Sequence, residues 1–71
     1  MSKLIISLKD GAAPLELETT QKAAMRVLNR YLAFLRLGGD APNRFVTDGK
    51  DAGVIGFRME TVQAIYVKKD E

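Results

Sequence analysis

The stretch of sequence that decides the fold is TTQKAAMRVLNRYLAFLRL, residues 19–37. It is dominated by alanine, leucine, methionine, arginine and lysine, which all have high helix propensity. Two threonines, which are favourable N-cap residues, open the stretch, and Gly38-Gly39 supplies the stop at its C-terminal end. The sequence therefore predicts a helix that begins at Thr19 or Thr20 and ends at Leu37.

The predicted helix has an apolar arc that is wider than packing on one sheet requires. At about 100° per residue the arc spans roughly 200°, whereas a helix lying on a sheet needs only somewhat more than about 100°. The arc carries Ala23, Phe34, Val27, Tyr31, Ala24, Leu35, Leu28, Leu32 and Met25. Met25 and Leu32 lie at one margin of the arc, and Phe34 lies at the other. Either loops and strand ends cover these margins, or one margin forms a subunit or partner interface.

The opposite arc of the helix carries only positive charge, on Lys22, Arg26, Arg30 and Arg36. No acidic residue lies within residues 19–37, whereas the rest of the chain has seven basic and nine acidic residues. The first three cations follow one another at a spacing of four residues, which places like charges side by side at a small cost in stability. We interpret this arc as a binding surface for an acidic partner, with a merely solvated helix face as the alternative.

Five segments outside the helix have the composition or the period of β-strands. Residues 3–9 and residues 15–18 alternate apolar and polar side chains. Residues 44–47, 54–59 and 62–67 are rich in β-branched and aromatic side chains. The predicted fold class is therefore α+β, with a single helix packed on a four- or five-stranded antiparallel sheet in the order β-β-α-β-β-β.

The last predicted strand, residues 62–67, is apolar on both faces. Alternation places its side chains in two sets: Val62, Ala64 and Tyr66 on one face, and Ile65 and Val67 on the other. Such a strand is predicted to be central in the sheet or covered by another subunit. Tyr66 therefore joins Met25 and Leu32 as a predicted oligomer-interface residue. The junction before this strand, at Glu60-Thr61, fits a tight turn, a bulge or one helical turn.

The composition excludes several kinds of active site. The chain has no histidine and no cysteine, which removes Ser-His and Cys-His nucleophiles, disulfides and the commonest zinc ligands. The segment Asp48-Gly49-Lys50-Asp51 superficially suggests a calcium-binding loop. It lacks the alternating oxygen ligands and the distal glutamate of that motif, and a hairpin turn explains it better. We predict that the protein is not an enzyme and uses no metal, no cofactor and no small-molecule substrate.

The length indicates one small domain, residues 1–71, with a flexible tail at residues 68–71. No apolar run approaches the ~20 residues that span a bilayer, and Leu4-Ile5-Ile6 is too short for the apolar part of a signal peptide. We therefore expect a complete, soluble, cytoplasmic chain without membrane contact. A core of this size rarely supplies more than about 3–5 kcal/mol of stability. Because disulfides and zinc sites are lacking, we expect a homo-oligomer, most simply a dimer.

These features favour a small non-enzymatic protein-interaction module, such as an adaptor, inhibitor or accessory protein. It would meet an acidic protein partner through the basic arc of the helix. One alternative is a nucleic-acid-binding regulator that uses the same arc against phosphates, although the acidic remainder of the chain counts against it. A second alternative is a structural assembly subunit that uses the apolar helix margin and the strand edges. Salt separates these classes, because binding to phosphates weakens steeply as the salt concentration rises.

Overall fold

The described part of the chain forms one helix and five strands in antiparallel sheets, which confirms the predicted α+β class and element order. A computed structural model describes residues 1–39 and 42–69. Its elements are β1 (Ser2–Leu8), β2 (Leu15–Thr19), α1 (Gln21–Leu37), β3 (Pro42–Thr47), β4 (Gly53–Arg58) and β5 (Val62–Lys69). Two short 3-10 turns, Gly49–Asp51 and Met59–Thr61, connect the last three strands. The junction at Glu60-Thr61 is thus one helical turn.

The end of the chain is more ordered than the sequence suggests. Lys68 and Lys69, which we placed in a flexible tail, lie in β5 and pair with Lys3 and Ser2 of β1. Residues 70–71 lie outside the described residues. An exposed pair of lysines followed by acidic residues has the composition of a tail, and only the pairing with β1 extends the strand to Lys69.

The five strands divide between two sheets and do not form the single sheet that we expected. One sheet has three strands in the order β2-β1-β5, and β3 pairs with β4 in a separate hairpin. β1 is therefore central, and β5 lies at an edge. Of the two placements predicted for β5, the central one is wrong. The hairpin instead turns one face toward the core, where the rings of Phe45 and Phe57 stack with centroids 5.6 Å apart.

Local signals in the sequence set both ends of α1. The Thr20 hydroxyl accepts a hydrogen bond from the backbone N–H of Ala23 at 3.3 Å, which makes Thr20 the N-cap. At the other end Gly38 adopts φ 79°, and its N–H donates to the Phe34 carbonyl at 2.7 Å. Glycine reaches this left-handed conformation without the steric cost that a side chain would add. Among the described residues, no helix is long and apolar enough to cross a membrane.

The core lies between the three-stranded sheet, the helix and the hairpin. Alternation along β1 buries Leu4 and Ile6 completely, and one stripe of α1 packs over them. The buried cluster consists of Leu4, Ile6, Ala24, Val27, Tyr31, Phe45, Met59 and Val62. The other face of the three-stranded sheet carries no helix among the described residues, and we call it the outer sheet face.

A β-bulge near the start of β5 changes which of its side chains reach the core. Ser7 of β1 pairs with Ala64, and the next β1 residue pairs with Val62, so Gln63 is left without an opposite residue. Val62 is therefore buried together with the partly buried Ile65 and Val67, although it is an odd number of residues from Ile65. The alternation that placed Val62 on the same face as Ala64 and Tyr66 is wrong at this point. The prediction from alternation fails because it assumes a strand without a bulge.

Candidate interaction surfaces

The four cations of the basic arc lie on the exposed side of α1. Lys22, Arg26, Arg30 and Arg36 are all exposed. Within residues 1–39 and 42–69 none of them forms an ion pair, since the salt bridges there join Lys3 to Glu16, Lys50 to Glu18 and Arg58 to Glu60. Of the four, only Arg30 has a side-chain hydrogen-bond partner among the residues that the structure describes: its guanidinium donates to Oδ1 of Asn43 at 3.1 Å. We call these four residues the basic face.

The acidic side chains of the described residues have local partners elsewhere on the molecule. Three of them form the salt bridges just given. The other three accept hydrogen bonds: Asp10 from the backbone N–H of Ala12, Asp48 from Thr19 and Thr20, and Asp51 from the backbone N–H of Glu18. The positive charge of the basic face is therefore not compensated by any acidic side chain that the structure describes, and its field extends into solvent.

The hairpin continues the basic face with further cations that sequence reasoning missed. Arg44 follows Asn43, the residue that holds the Arg30 guanidinium, and it is exposed on β3. Arg44 pairs across the hairpin with Gly56, and Arg58 lies two residues further along β4 on the same side. Alternation within β3 could have placed Arg44 outward, but nothing in the sequence indicated that β3 lies beside Arg30.

An open cleft of about 210 Å³ lies at the C-terminal end of the basic face. Its lining is Arg30, Ala33, Phe34, Leu37, Gly38, Gly39, Asn43 and Met59. Leu37 at its rim is 77% exposed. The cleft thus places an apolar floor next to a guanidinium, and this arrangement suits an apolar side chain that has a carboxylate beside it.

The predicted oligomer-interface residues are not gathered into one patch. Leu32 is 52% exposed and Met25 is half-buried, and both lie on one margin of α1. Tyr66, which is 59% exposed, points to the outer sheet face, because it is opposite Ile5 and not opposite the buried Leu4. The helix and Tyr66 are therefore on opposite sides of the sheet. A single partner can contact both the helix margin and Tyr66 only if it lies along the edge of β5.

The turn between β3 and β4 uses its carboxylates to attach the hairpin to the other sheet. Oδ1 of Asp48 accepts from the Thr20 hydroxyl at 2.7 Å, from the Thr20 N–H at 3.1 Å and from the Thr19 hydroxyl at 2.9 Å. Oδ2 of Asp51 accepts from the Glu18 N–H at 2.7 Å. The hydrogen bonds to Asp48 hold its pKa below the ordinary value of 3.8, and the bond from the Thr20 hydroxyl has the largest effect.

The same turn therefore has a structural role that the sequence did not reveal. Beside it, the Glu18 carboxylate raises the pKa of Lys50 by accepting a hydrogen bond at 3.1 Å and by its charge. Among the described residues, no three acidic side chains lie close enough to hold a metal ion. The hydrogen bonds of Asp48 and Asp51 explain why carboxylates occur in this turn.

Comparison with protein-family models, with curated proteins and with solved structures finds no match to this chain. Two surfaces of the described residues stand out: the basic face with its cleft, and the β5 edge with exposed apolar side chains on both sides of it.

Proposed function

We propose that the protein is a small non-enzymatic protein-interaction module that meets an acidic partner through the basic face. An adaptor, an inhibitor or an accessory protein would each fit this description. The observation that carries the proposal is the absence of an acidic partner, among the described residues, for Lys22, Arg26, Arg30 and Arg36. A surface of one sign attracts a partner of the opposite sign and raises the rate of association.

The apolar side chains around the cations favour a protein partner over a phosphate backbone. Leu37 and Ala33 line the cleft beside Arg30, and both are exposed. Protein interfaces combine arginine with apolar side chains, whereas nucleic-acid interfaces are more polar and more positively charged. An acidic segment that carries one apolar side chain would fill the cleft and place its carboxylate against Arg30.

A nucleic-acid-binding regulator that uses the same face is the second candidate. Arg44 favours it, because it extends the positive surface along the hairpin, whereas the charge of Arg58 is paired with Glu60. A protein that contacts several phosphates loses affinity as a steep power of the salt concentration. A structural assembly subunit, the third candidate, would bind through the apolar helix margin and the strand edges in place of the basic face.

The proposal is tested with the double variant Arg26→Glu/Arg30→Glu. The wild-type chain and the variant are used as bait in host lysate with and without nuclease treatment, and a mobility-shift assay with duplex DNA is run at low and high salt. We expect the wild type to retain an acidic protein that the variant does not retain. The single variant Arg26→Glu is tested as well, and Lys9→Glu is its control with the same change of charge, because Lys9 is an exposed cation away from the helix and outside any ion pair of the described residues.

Each result assigns the protein to one class. Retention that survives the double reversal contradicts the basic face as the binding surface. A partner that is lost on nuclease treatment, together with a salt-sensitive shift of DNA, assigns the face to nucleic acid. The chain would then be a regulator and not a protein-interaction module.

We further propose that the chain forms a homodimer in the cytoplasm. It lacks cysteine and therefore any disulfide, and its buried cluster is small. Leu32, Leu35 and Tyr66 are each more than half exposed, which is unfavourable for a monomer in water. Burial of these side chains against a second copy would remove them from solvent and would leave the basic face free for the acidic partner.

A further inference from the structure

The two edges of the three-stranded sheet differ. The edge at β2 is closed by the hairpin turn, since Asp51 accepts from the Glu18 N–H and Asp48 accepts from the Thr20 N–H. At the edge of β5, the Tyr31 hydroxyl lies against the carbonyls of Val62 and Gln63. Beyond them, no described strand pairs with the outer edge of β5. Uncovered strand edges are templates for pairing with another strand.

The hydrogen-bonding groups that this edge offers follow from the register. The N–H of Glu18 points away from β1, so the opposite residue, Lys3, directs its own backbone groups toward β5. These directions alternate along an antiparallel ladder. The backbone N–H and C=O groups of Tyr66 and of Lys68 in β5 therefore point toward β1. The N–H and C=O groups of Ile65 and Val67 therefore point outward.

Apolar side chains lie on both sides of this open edge. Arg30 on one side of α1 reaches β3, and the Tyr31 hydroxyl reaches β5. At about 100° per residue the margin with Leu28, Leu32 and Leu35 lies beyond Tyr31, on the side away from β3. Leu35 is 61% exposed. On the outer sheet face Tyr66 is exposed next to Ala64.

We propose that β5 of a second copy pairs antiparallel with this edge about a two-fold axis at Tyr66, which joins the two sheets into one of six strands. In this register Ile65 of each copy exchanges two backbone hydrogen bonds with Val67 of the other. The two Tyr66 side chains lie side by side on the outer sheet face, and the leucine margins of the two helices meet on the other. The inference rests on the proposed homodimer and specifies its interface.

The charge pattern of β5 favours this arrangement over in-register parallel pairing. Parallel pairing in register would bring Lys68 and Lys69 next to the same residues of the other copy, and like charges directly opposite are destabilising. Antiparallel pairing at Tyr66 places the two Lys68 residues about 14 Å apart along the strands and opposite Ala64. Aromatic side chains that face each other across strands are favourable.

The available area also suits a second copy. The paired segment of seven residues is about 24 Å long. The layer from the helix margin to the outer sheet face is about 20 Å deep, if about 10 Å is taken for the helix and about 10 Å for the sheet. The contact is then about 480 Å² per copy and close to the ~1,000 Å² in total that a specific interface needs. The dimer should accordingly form at micromolar concentrations and not at nanomolar ones.

The register is tested by cysteine cross-linking, to which the cysteine-free chain is well suited. At the axis, the Cα atoms of the Tyr66 pair would be about 4.5 Å apart, within disulfide range, so Tyr66→Cys should oxidise to a covalent dimer. Ala64→Cys is the matched control, because it lies on the same face and its two copies would be about 14 Å apart. We expect Tyr66→Cys to cross-link about tenfold faster or more. Equal rates for both would overturn the register.

The interface is tested by sedimentation equilibrium of charge variants. Leu32→Glu/Leu35→Glu should weaken the dimer about a hundredfold or more, because it buries carboxylates in the contact. Leu37→Glu/Val54→Glu introduces the same two charges at exposed apolar residues, on the side of α1 that carries Arg30 and on the hairpin, and should leave the dimer intact. A wild type that stays monomeric at every concentration overturns the dimer itself. A dimer that resists the leucine variant overturns only the β5 interface.

Discussion

Tyr31 is the residue at which the helix, the core and the bulge of β5 meet. Its ring is 7% exposed, and its hydroxyl donates toward the Gln63 carbonyl at 3.0 Å while it lies 3.4 Å from the Val62 carbonyl. These carbonyls lie at the bulge, where Gln63 has no opposite residue on β1. The apolar arc predicted that Tyr31 is buried, but the partner of its hydroxyl depends on where β5 passes the helix.

Replacement of Tyr31 by phenylalanine should lower the free energy of unfolding by about 1 kcal/mol, because it leaves a partly buried carbonyl without its donor. Urea denaturation measures the change. Tyr66→Phe is the control, since the Tyr66 hydroxyl has no hydrogen bond within the described residues and should be dispensable. Equal effects of the two changes would mean that the bulge does not depend on Tyr31.

Asp48 should make stability depend on pH in the acid range. Its pKa is lowered in the folded chain, so its contribution to stability is fully present above the ordinary carboxyl pKa and is lost as the pH falls through the folded value. Asp48→Asn should therefore flatten the fall of the melting temperature below about pH 4. Asp10→Asn is a suitable control, because Asp10 accepts only one local hydrogen bond, from Ala12. If the melting temperature of Asp48→Asn falls at low pH as steeply as that of the wild type, the role of this carboxylate is contradicted.

At the scale of the element, α1 is a helix with three different sides. One stripe packs in the core, one margin exposes leucines beside β5, and the remaining arc carries the basic face. The amphipathic pattern predicted the first and the third of these. It also predicted an excess of apolar surface, yet it could not show which margin stays exposed, because that depends on where the hairpin packs.

Charge reversal on the basic face should leave the fold intact. Exposed charges usually contribute within about ±0.5 kcal/mol. In this variant the repulsion between Lys22 and Arg26 becomes an attraction, which offsets the loss of the Arg30–Asn43 hydrogen bond, while positions 26 and 30 keep like charges. Arg26→Glu/Arg30→Glu should therefore melt within a few degrees of the wild type in a thermal scan. A large loss of stability would show that these arginines hold the helix against the hairpin. The loss of binding by this variant would then be uninformative.

At the scale of the whole molecule, stability should depend on protein concentration. If only the folded chain dimerises, mass action raises the melting temperature as the protein concentration increases. The wild type should show this rise over a hundredfold range of concentration, measured by calorimetry, whereas Leu32→Glu/Leu35→Glu should melt at one temperature throughout. A wild type without concentration dependence would indicate a monomer, with Leu32 and Tyr66 left for a different partner.

What the sequence determined by itself was local. The helix, its caps at Thr20 and Gly38, the alternation of β1 and the one-signed arc all follow from side chains a few residues apart, where propensity, capping and helical period act. For the same reason the element order and the α+β class could be predicted. The lack of histidine and cysteine likewise limited the chemistry without any knowledge of the fold.

Only the tertiary structure decided how these elements meet. Contacts between residues distant in the chain place the hairpin against β2 through Asp48 and Asp51, leave β5 at an edge and create the bulge at Gln63. Strand order and bulges depend on which faces pack together in the core, and a period-two pattern contains no information on that choice. The basic face was therefore visible in the sequence. The open edge beside it was not, because an edge exists only once the strands have been ordered.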